Sequence, residues 1–308
     1  MIELHRKLLG DRVRNDAFYE ALKRIIRKGE TTVVDLGAGT GFLSFLAIRL
    51  GAKHCTLIEY SNILKTAKQL AKRNQIDRCT FIQKHSFDVQ SSVKADVLLS
   101  ETIGNYALEE NMIESIENAR RFLKPNGIII PGKIRQFVCP VTSDRLMKEI
   151  DIFPHVGFDL DFTEAREAAM NNMYVKTLKK EDLLAEKDAS RLWDTIDFSL
   201  KNKSIRTAKI TWKNQATIQG FALWWEAELV PAVTLSTSPF APPTHWEQIF
   251  LPLLFPVSLK KSETLELSLQ SDTRPSVKIN LTWTARHLDP GGKQISEQRM
   301  DMKKGHIN

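Results

Sequence analysis

The chain has 308 residues, 42% hydrophobic and 26% charged, enough for one large domain or two ordinary ones. No apolar run approaches the ~18 residues of a membrane span, the opening MIELHRKLLGD has no signal-peptide core, and Cys55, Cys79 and Cys139 form neither a CxxC pair nor a disulfide framework. A cytoplasmic protein with no membrane partner and no metal is expected; its net charge of +7 is dispersed in pairs such as Lys179-Lys180 and Lys260-Lys261, so nucleic acid is a permitted partner that nothing indicates.

Val13, Ala17, Phe18, Leu22, Ile25 and Ile26 share one face of a helix within residues 11–28. Short apolar runs then alternate with helical patterns. Strands are expected over 32–36, 55–59, 80–83, 95–100 and 128–130, and helices over 42–50, 62–74 and 108–123. Strands and helices in alternation make βαβ crossovers, hence a Rossmann-like α/β fold with a parallel sheet. The pattern stops at Pro131-Gly132. Beyond it come runs rich in β-branched and aromatic residues, at 205–212, 220–230, 264–269 and 277–285, which read as antiparallel β structure. Residues 162–193 differ, being rich in Glu, Lys and Ala, and read as a helical excursion. The expected domains are 1–131, and 132–308 with an inserted helical segment at about 160–193.

The run Val33-Val34-Asp35-Leu36-Gly37-Ala38-Gly39-Thr40-Gly41 is a strand entering a glycine turn before a helix. Glycines let the backbone turn sharply and approach a ligand closely. Glu59 ends the next strand, where a carboxylate can accept both ribose hydroxyls. A dinucleotide fingerprint needs a third glycine where Phe42 stands, and Phe42 crowds the helix N-terminus that a pyrophosphate would use. S-adenosyl-L-methionine carries no phosphate but has a cationic sulfonium and an amino-acid end, which acidic Asp35 near the turn suits. Asp35, Gly37, Gly39, Gly41 and Glu59 are therefore the expected cofactor residues.

Three further segments resemble the protein arginine N-methyltransferases. Residues 100–112, Ser-Glu-Thr-Ile-Gly-Asn-Tyr-Ala-Leu-Glu-Glu-Asn-Met, are similar to that family's double-glutamate loop, with Glu101 and Glu110 nine positions apart. Thr244-His245-Trp246 matches its Thr-His-Trp loop, and His5, Leu8, Leu9, Asp11, Val13 and Arg14 fall at the spacing of its N-terminal helix. The resemblance implies a β-barrel after Pro131 and a dimerisation arm in the helical segment, with Met170, Met173 and Leu178 against a second subunit, hence a homodimer. It also implies that Arg14 grips the cofactor carboxylate with His5 nearby, that Gly37 lies under the amino-acid portion, and that Asp88 takes the adenine amino group. Glu101 and Glu110 would hold the substrate guanidinium, with His245 paired to Asp11. Helical periodicity over 108–123 instead turns Glu109 toward the apolar face of Leu108, Met112, Ile116, Ala119 and Leu123, so two candidates stand for the second carboxylate.

The sequence departs from the family at Thr102 and Asn105, where Trp and Tyr are usual, and His5 leaves no room for the family's upstream aromatic segment. Fewer aromatic walls weaken cation stacking on a guanidinium. The expected reaction is methyl transfer to a guanidinium, foremost arginine in a protein. A small-molecule guanidine, another small molecule or a nucleic acid is the enzymatic alternative, although the Asn-Pro-Pro-aromatic motif of nucleobase methylation is missing. A catalytically silent scaffold is the alternative of another class.

Overall fold

The computed structural model describes residues 2–90, 93–185 and 189–305. Two helices, α1 (Ile2–Gly10) and α2 (Arg12–Ile25), precede β1 (Thr32–Leu36), α3 (Phe42–Arg49), β2 (His54–Ile58), α4 (Ile63–Arg73), β3 (Cys79–Ile82), β4 (Ala95–Ser100), α5 (Met112–Ala119) and β5 (Leu123–Ile130). The strands form one parallel sheet in the order β3-β2-β1-β4-β5. Val33, Val34, Leu57, Val97, Leu98 and Leu99 are buried within it, as the uninterrupted apolar runs of a sheet covered on both faces require. The strand order reverses between β1 and β4, and ligands of such sheets bind above the strand ends at that crevice.

The fifth helix is shorter than its periodicity implies. Leu108 lies in a turn, the Glu109 amide donates to the Tyr106 carbonyl, and Asn111 adopts φ 51°, so the helix begins only at Met112. Glu109 and Glu110 precede the helix, and a helical wheel does not orient them.

The second half holds β6 (Lys133–Val141), α6 (Arg145–Ile150), α7 (Thr163–Met170), β7 (Tyr174–Lys176), β8 (Arg191–Asp197), β9 (Ile205–Trp212), β10 (Ala216–Val230), β11 (Val233–Ser236), β12 (Gln248–Leu259), β13 (Thr264–Asp272), β14 (Asn280–Leu288) and β15 (Gln294–Asp301). Among the described residues these pair as two antiparallel sheets, β7-β12-β10-β6-β8 with β11 on β10, and β15-β14-β13-β9. Their backbone pairings do not close into the expected barrel. Side chains join the sheets instead: the Trp212 and Phe221 rings lie 5.8 Å apart, and Trp283 Nε1 donates to the Pro252 carbonyl at 2.8 Å.

The helical excursion is also corrected. Only Thr163–Met170 is α-helical within 160–193; Tyr174–Lys176 and Arg191–Asp197 rejoin the sheet, and 186–188 lie outside the described residues. Met170 and Leu178 are buried in their own protomer and are not available to a second subunit, while Met173 is partly buried against the same core. Exposed apolar side chains gather just before α7, at Ile152, Phe158 and Leu160, with Phe158 90% exposed.

Candidate active site

The glycine turn closes the end of β1. Gly37, Gly39 and Gly41 take φ of 65°, 54° and 79°. A Cβ at Gly37 would stand 2.7 Å from Thr102 Cγ2, and one at Gly39 would stand 2.8 Å from His5 Cε1. Any side chain there would fill the cleft that His5, Leu8, Leu9, Arg14 and Glu101 line with the turn. Burial holds the His5 imidazole below its usual range, against the opposing field of Glu59.

Glu59 follows β2 and is buried. Its Oε2 accepts from the Gly39 amide at 3.1 Å and its Oε1 from the Ser61 amide at 2.8 Å. Each oxygen keeps a second lone pair, the acceptor set that a ribose diol requires. Asp35 also lines this cleft, and its Oδ2 accepts from Ser44 Oγ at 2.7 Å, which ties β1 to α3. Burial pushes its carboxyl up to about 7, against the Ser44 bond and with the field of Glu101. Asp88 is exposed in the 3-10 turn Ser86–Asp88 after β3.

The other half of the site begins at Glu101, directly after β4. Arg14 grips Glu101 Oε2 through Nε at 3.0 Å and through Nη2, and its Nη1 donates to Asn15 Oδ1 at 2.8 Å. Both side chains are buried, so each charge depends on the other. Glu101 Oε1 is left for an incoming donor. Asp11 caps α2 by accepting from the Arg14 amide at 2.9 Å, and its other oxygen accepts from the His245 amide at 2.8 Å and from His245 Nδ1 at 2.7 Å. Burial alone would raise Asp11, but those bonds hold its carboxyl below the usual range. An ionised carboxylate only accepts, so Nδ1 carries the proton.

The geometry separates the two competing glutamates. Glu109 Oε2 turns back to accept from the Asn105 amide at 3.1 Å and closes its own loop. Partial removal from water and the fields of Glu101, Glu109 and Glu59 push the Glu110 carboxyl up. A carboxylate that feels other carboxylates in this way is poised for a cation.

Side chains with no assigned role in the sequence hold this loop. Trp246 Nε1 donates to the Ile103 carbonyl at 2.7 Å, Trp225 Nε1 donates to the Gly104 carbonyl at 3.0 Å, and the Glu247 amide donates to Asn105 Oδ1 at 2.8 Å. The two indoles meet edge to face at 5.0 Å, and Trp246 also lies 3.9 Å from the His245 ring. Tyr106 Oη donates to Ser271 Oγ at 2.7 Å. For Trp225 the sequence signal was only the aromatic richness of the β half; Trp246 and Tyr106 lay within matched segments, which do not identify their partners.

A methyltransferase domain model matches residues 27–184, and the arginine methyltransferase oligomerization subdomain matches residues 135–286. A probable protein arginine N-methyltransferase 6.1 of Oryza sativa subsp. indica is 30% identical, aligned over 89% of this chain and 83% of its own length. The chain belongs to the protein arginine N-methyltransferase family. A probable protein arginine N-methyltransferase 6 of Arabidopsis thaliana is 26% identical over 92% of this chain and 77% of its own. Two solved arginine methyltransferases share the fold. The Trypanosoma brucei PRMT1 enzyme–prozyme complex with AdoHcy has a TM-score of 0.84 at 23% identity, covering 97% of this chain and 96% of its own. Arabidopsis thaliana protein arginine methyltransferase 10 has a TM-score of 0.82 at 21% identity, covering 98% of each chain. Like its family, this methyltransferase uses S-adenosylmethionine, which the glycine cradle and the doubly anchored Glu59 fit.

Proposed function

We propose that this protein methylates a guanidinium nitrogen of arginine in a protein substrate. The observation that carries the reading is the acidic corner: Glu101, its charge held by buried Arg14, lines the cleft with the glycine turn, and its field reaches the Glu110 carboxyl. When bound, S-adenosylmethionine would supply a sulfonium-activated methyl group. Glu59 would hold the ribose diol and Gly37 would admit the amino-acid portion, while the free N–H groups of Arg14 and neutral His5 would meet its carboxylate. A guanidinium keeps its proton in water, with a pKa above ~12, and its delocalised charge makes it a poor nucleophile. Glu101 Oε1 and Glu110 would hold the planar fork and draw positive charge toward the nitrogens they touch. The remaining nitrogen regains lone-pair character, and alignment supplies much of the acceleration. His245 Nε2, oriented through Nδ1 and Asp11, is the acceptor for the departing proton.

The working unit is proposed to be an isologous dimer, formed through Ile152, Phe158 and Leu160 between α6 and α7. Phe158→Asp should turn a light-scattering dimer into a monomer; a wild-type monomer at micromolar concentration contradicts this. Three free thiols fit a reducing, cytoplasmic setting. The substrate class is tested with methyl-labelled S-adenosylmethionine and a cell extract separated into protein, RNA and small molecules. Label recovered as methylarginine from hydrolysed protein supports the proposal. Label confined to RNA or to small molecules overturns it.

A further inference from the structure

The segment joining Glu101 to Glu110 forms neither helix nor strand, so its shape depends on bonds to other parts of the chain. The indoles of Trp246 and Trp225 and the hydroxyl of Ser271 hold Ile103, Gly104 and Tyr106, yet those bonds touch neither Glu109 nor Glu110. Asn105 differs, because it is tied on both sides. Its side-chain Oδ1 accepts from the Glu247 amide at 2.8 Å, and its own amide donates to Glu109 Oε2 at 3.1 Å. Tyrosine, usual in the family at this position, carries its oxygen at the far end of a ring and would not meet the Glu247 amide from the same backbone position.

Both anchors are firm. Glu247 Oε1 accepts from Thr177 Oγ1 at 2.6 Å. The next residue, Gln248, opens β12, and its side chain accepts from the Leu178 amide at 2.8 Å and donates to the Thr237 carbonyl at 2.9 Å. On the other side, Gly104 leaves the room that Glu109 occupies, since a Cβ there would overlap the Glu109 carboxylate. Glu109 is therefore folded back onto its own loop, and its neighbour Glu110 is left to meet the field of Glu101. Two adjacent glutamates compete for one place, and the bond to Glu247 fixes the backbone that decides between them.

We propose that Asn105 is a positioning residue: by fastening the loop to Glu247 it holds Glu109 back and presents Glu110 to the substrate. The proposal rests on the guanidinium reading above and is tested by steady-state methylation of a peptide with a single arginine. Asn105→Leu, of similar volume but without the acceptor, should lower kcat about tenfold, with KM and S-adenosylhomocysteine affinity within about threefold. Asn105→Asp keeps an oxygen for the Glu247 amide and should stay within about threefold throughout. The acid limb of the Asn105→Leu profile should move toward the ordinary glutamate range, because a loosened loop returns Glu110 to water. Glu110→Gln should cost about a hundredfold in the wild-type background but only about tenfold beside Asn105→Leu, since both changes damage one arrangement. Additive losses, or equal damage from Asn105→Asp and Asn105→Leu, overturn the proposal. Wild-type protein that methylates no arginine overturns the guanidinium reading instead, and amide exchange then decides the fastening by itself. The Glu247 amide should exchange at least about tenfold faster in Asn105→Leu than in wild type; unchanged exchange overturns the fastening.

Discussion

The two halves of the site are built in opposite ways. On the nucleoside side, groups close in sequence to the strand ends do the holding: the Gly39 and Ser61 amides donate to Glu59, and the Ser44 hydroxyl on the adjoining helix donates to Asp35. On the acceptor side, residues 101–111 form neither helix nor strand. Their fixings come from Arg14, 87 positions away from Glu101, and from Trp225 and Trp246, 121 and 143 positions from the carbonyls they grip. One half is a property of the parallel sheet; the other is assembled across the molecule. Cofactor binding and turnover should therefore be separable.

The largest effect is expected where a charge serves both the fold and the reaction. Glu101→Gln should lower turnover by about a thousandfold, the upper range for loss of a preorganised electrostatic group. It should also cost about 3 kcal/mol in stability, because buried Arg14 loses its counter-charge. Steady-state rates and melting curves check both parts, and a fully active variant would remove Glu101 from the site. Glu110→Gln should lose about a hundredfold in turnover with an unchanged melting temperature. Because the Glu110 carboxyl is raised, wild-type activity should fall on acidification at a pH above the ordinary glutamate range, as the carboxylate takes up its proton. Glu109→Gln retains an acceptor for the Asn105 amide and should stay within about threefold. A damaging Glu109 change beside a mild Glu110 change would reverse their assignment.

Smaller effects sharpen the contrast between halves. Glu59→Ala should weaken S-adenosylhomocysteine at least tenfold by calorimetry, since hydrogen bonds to a charged acceptor contribute about 1.5–3 kcal/mol. Trp246→Phe keeps the ring but leaves the Ile103 carbonyl without its indole donor, a cost of about 1–2 kcal/mol. Turnover should fall roughly tenfold while S-adenosylhomocysteine affinity stays within twofold. Equal losses in both would show that the halves are not independent.

The last difference is in the pH dependence of stability rather than in rate. Asp35 titrates near 7 in the fold and in the ordinary carboxylate range when unfolded. Between those values the folded chain holds more protons, so this group makes stability fall as pH rises toward 7, with no further fall above. Asp35→Asn should abolish that part of the slope in denaturant titrations at pH 5, 6 and 7. An unchanged slope would show that Asp35 is ionised throughout.

The sequence by itself determined the parallel sheet, the glycine turn and Glu59. Those features depend on alternation, helical period and backbone freedom, which operate over a few residues. It also placed Glu101 and Glu110 on one loop, yet it left Glu109 in competition, because a helical wheel assumes a helix and Asn111 delays that helix to Met112. Only the tertiary structure decided that Glu109 folds back on Asn105 while Glu110 meets the field of Glu101. The same holds for Met170 and Leu178, whose apolar character was plain but whose partners in their own protomer were not. Asp35, acidic and beside the turn, was legible as a residue type; its engagement by Ser44 was not. Trp225 and Trp246 mark the limit most clearly, because an indole donor becomes a loop fastening only when a carbonyl more than a hundred positions away is brought within 3.0 Å of it. Local periodicity carries no record of such closures, since their free energy arises from burying both partners together once distant parts of the chain have packed.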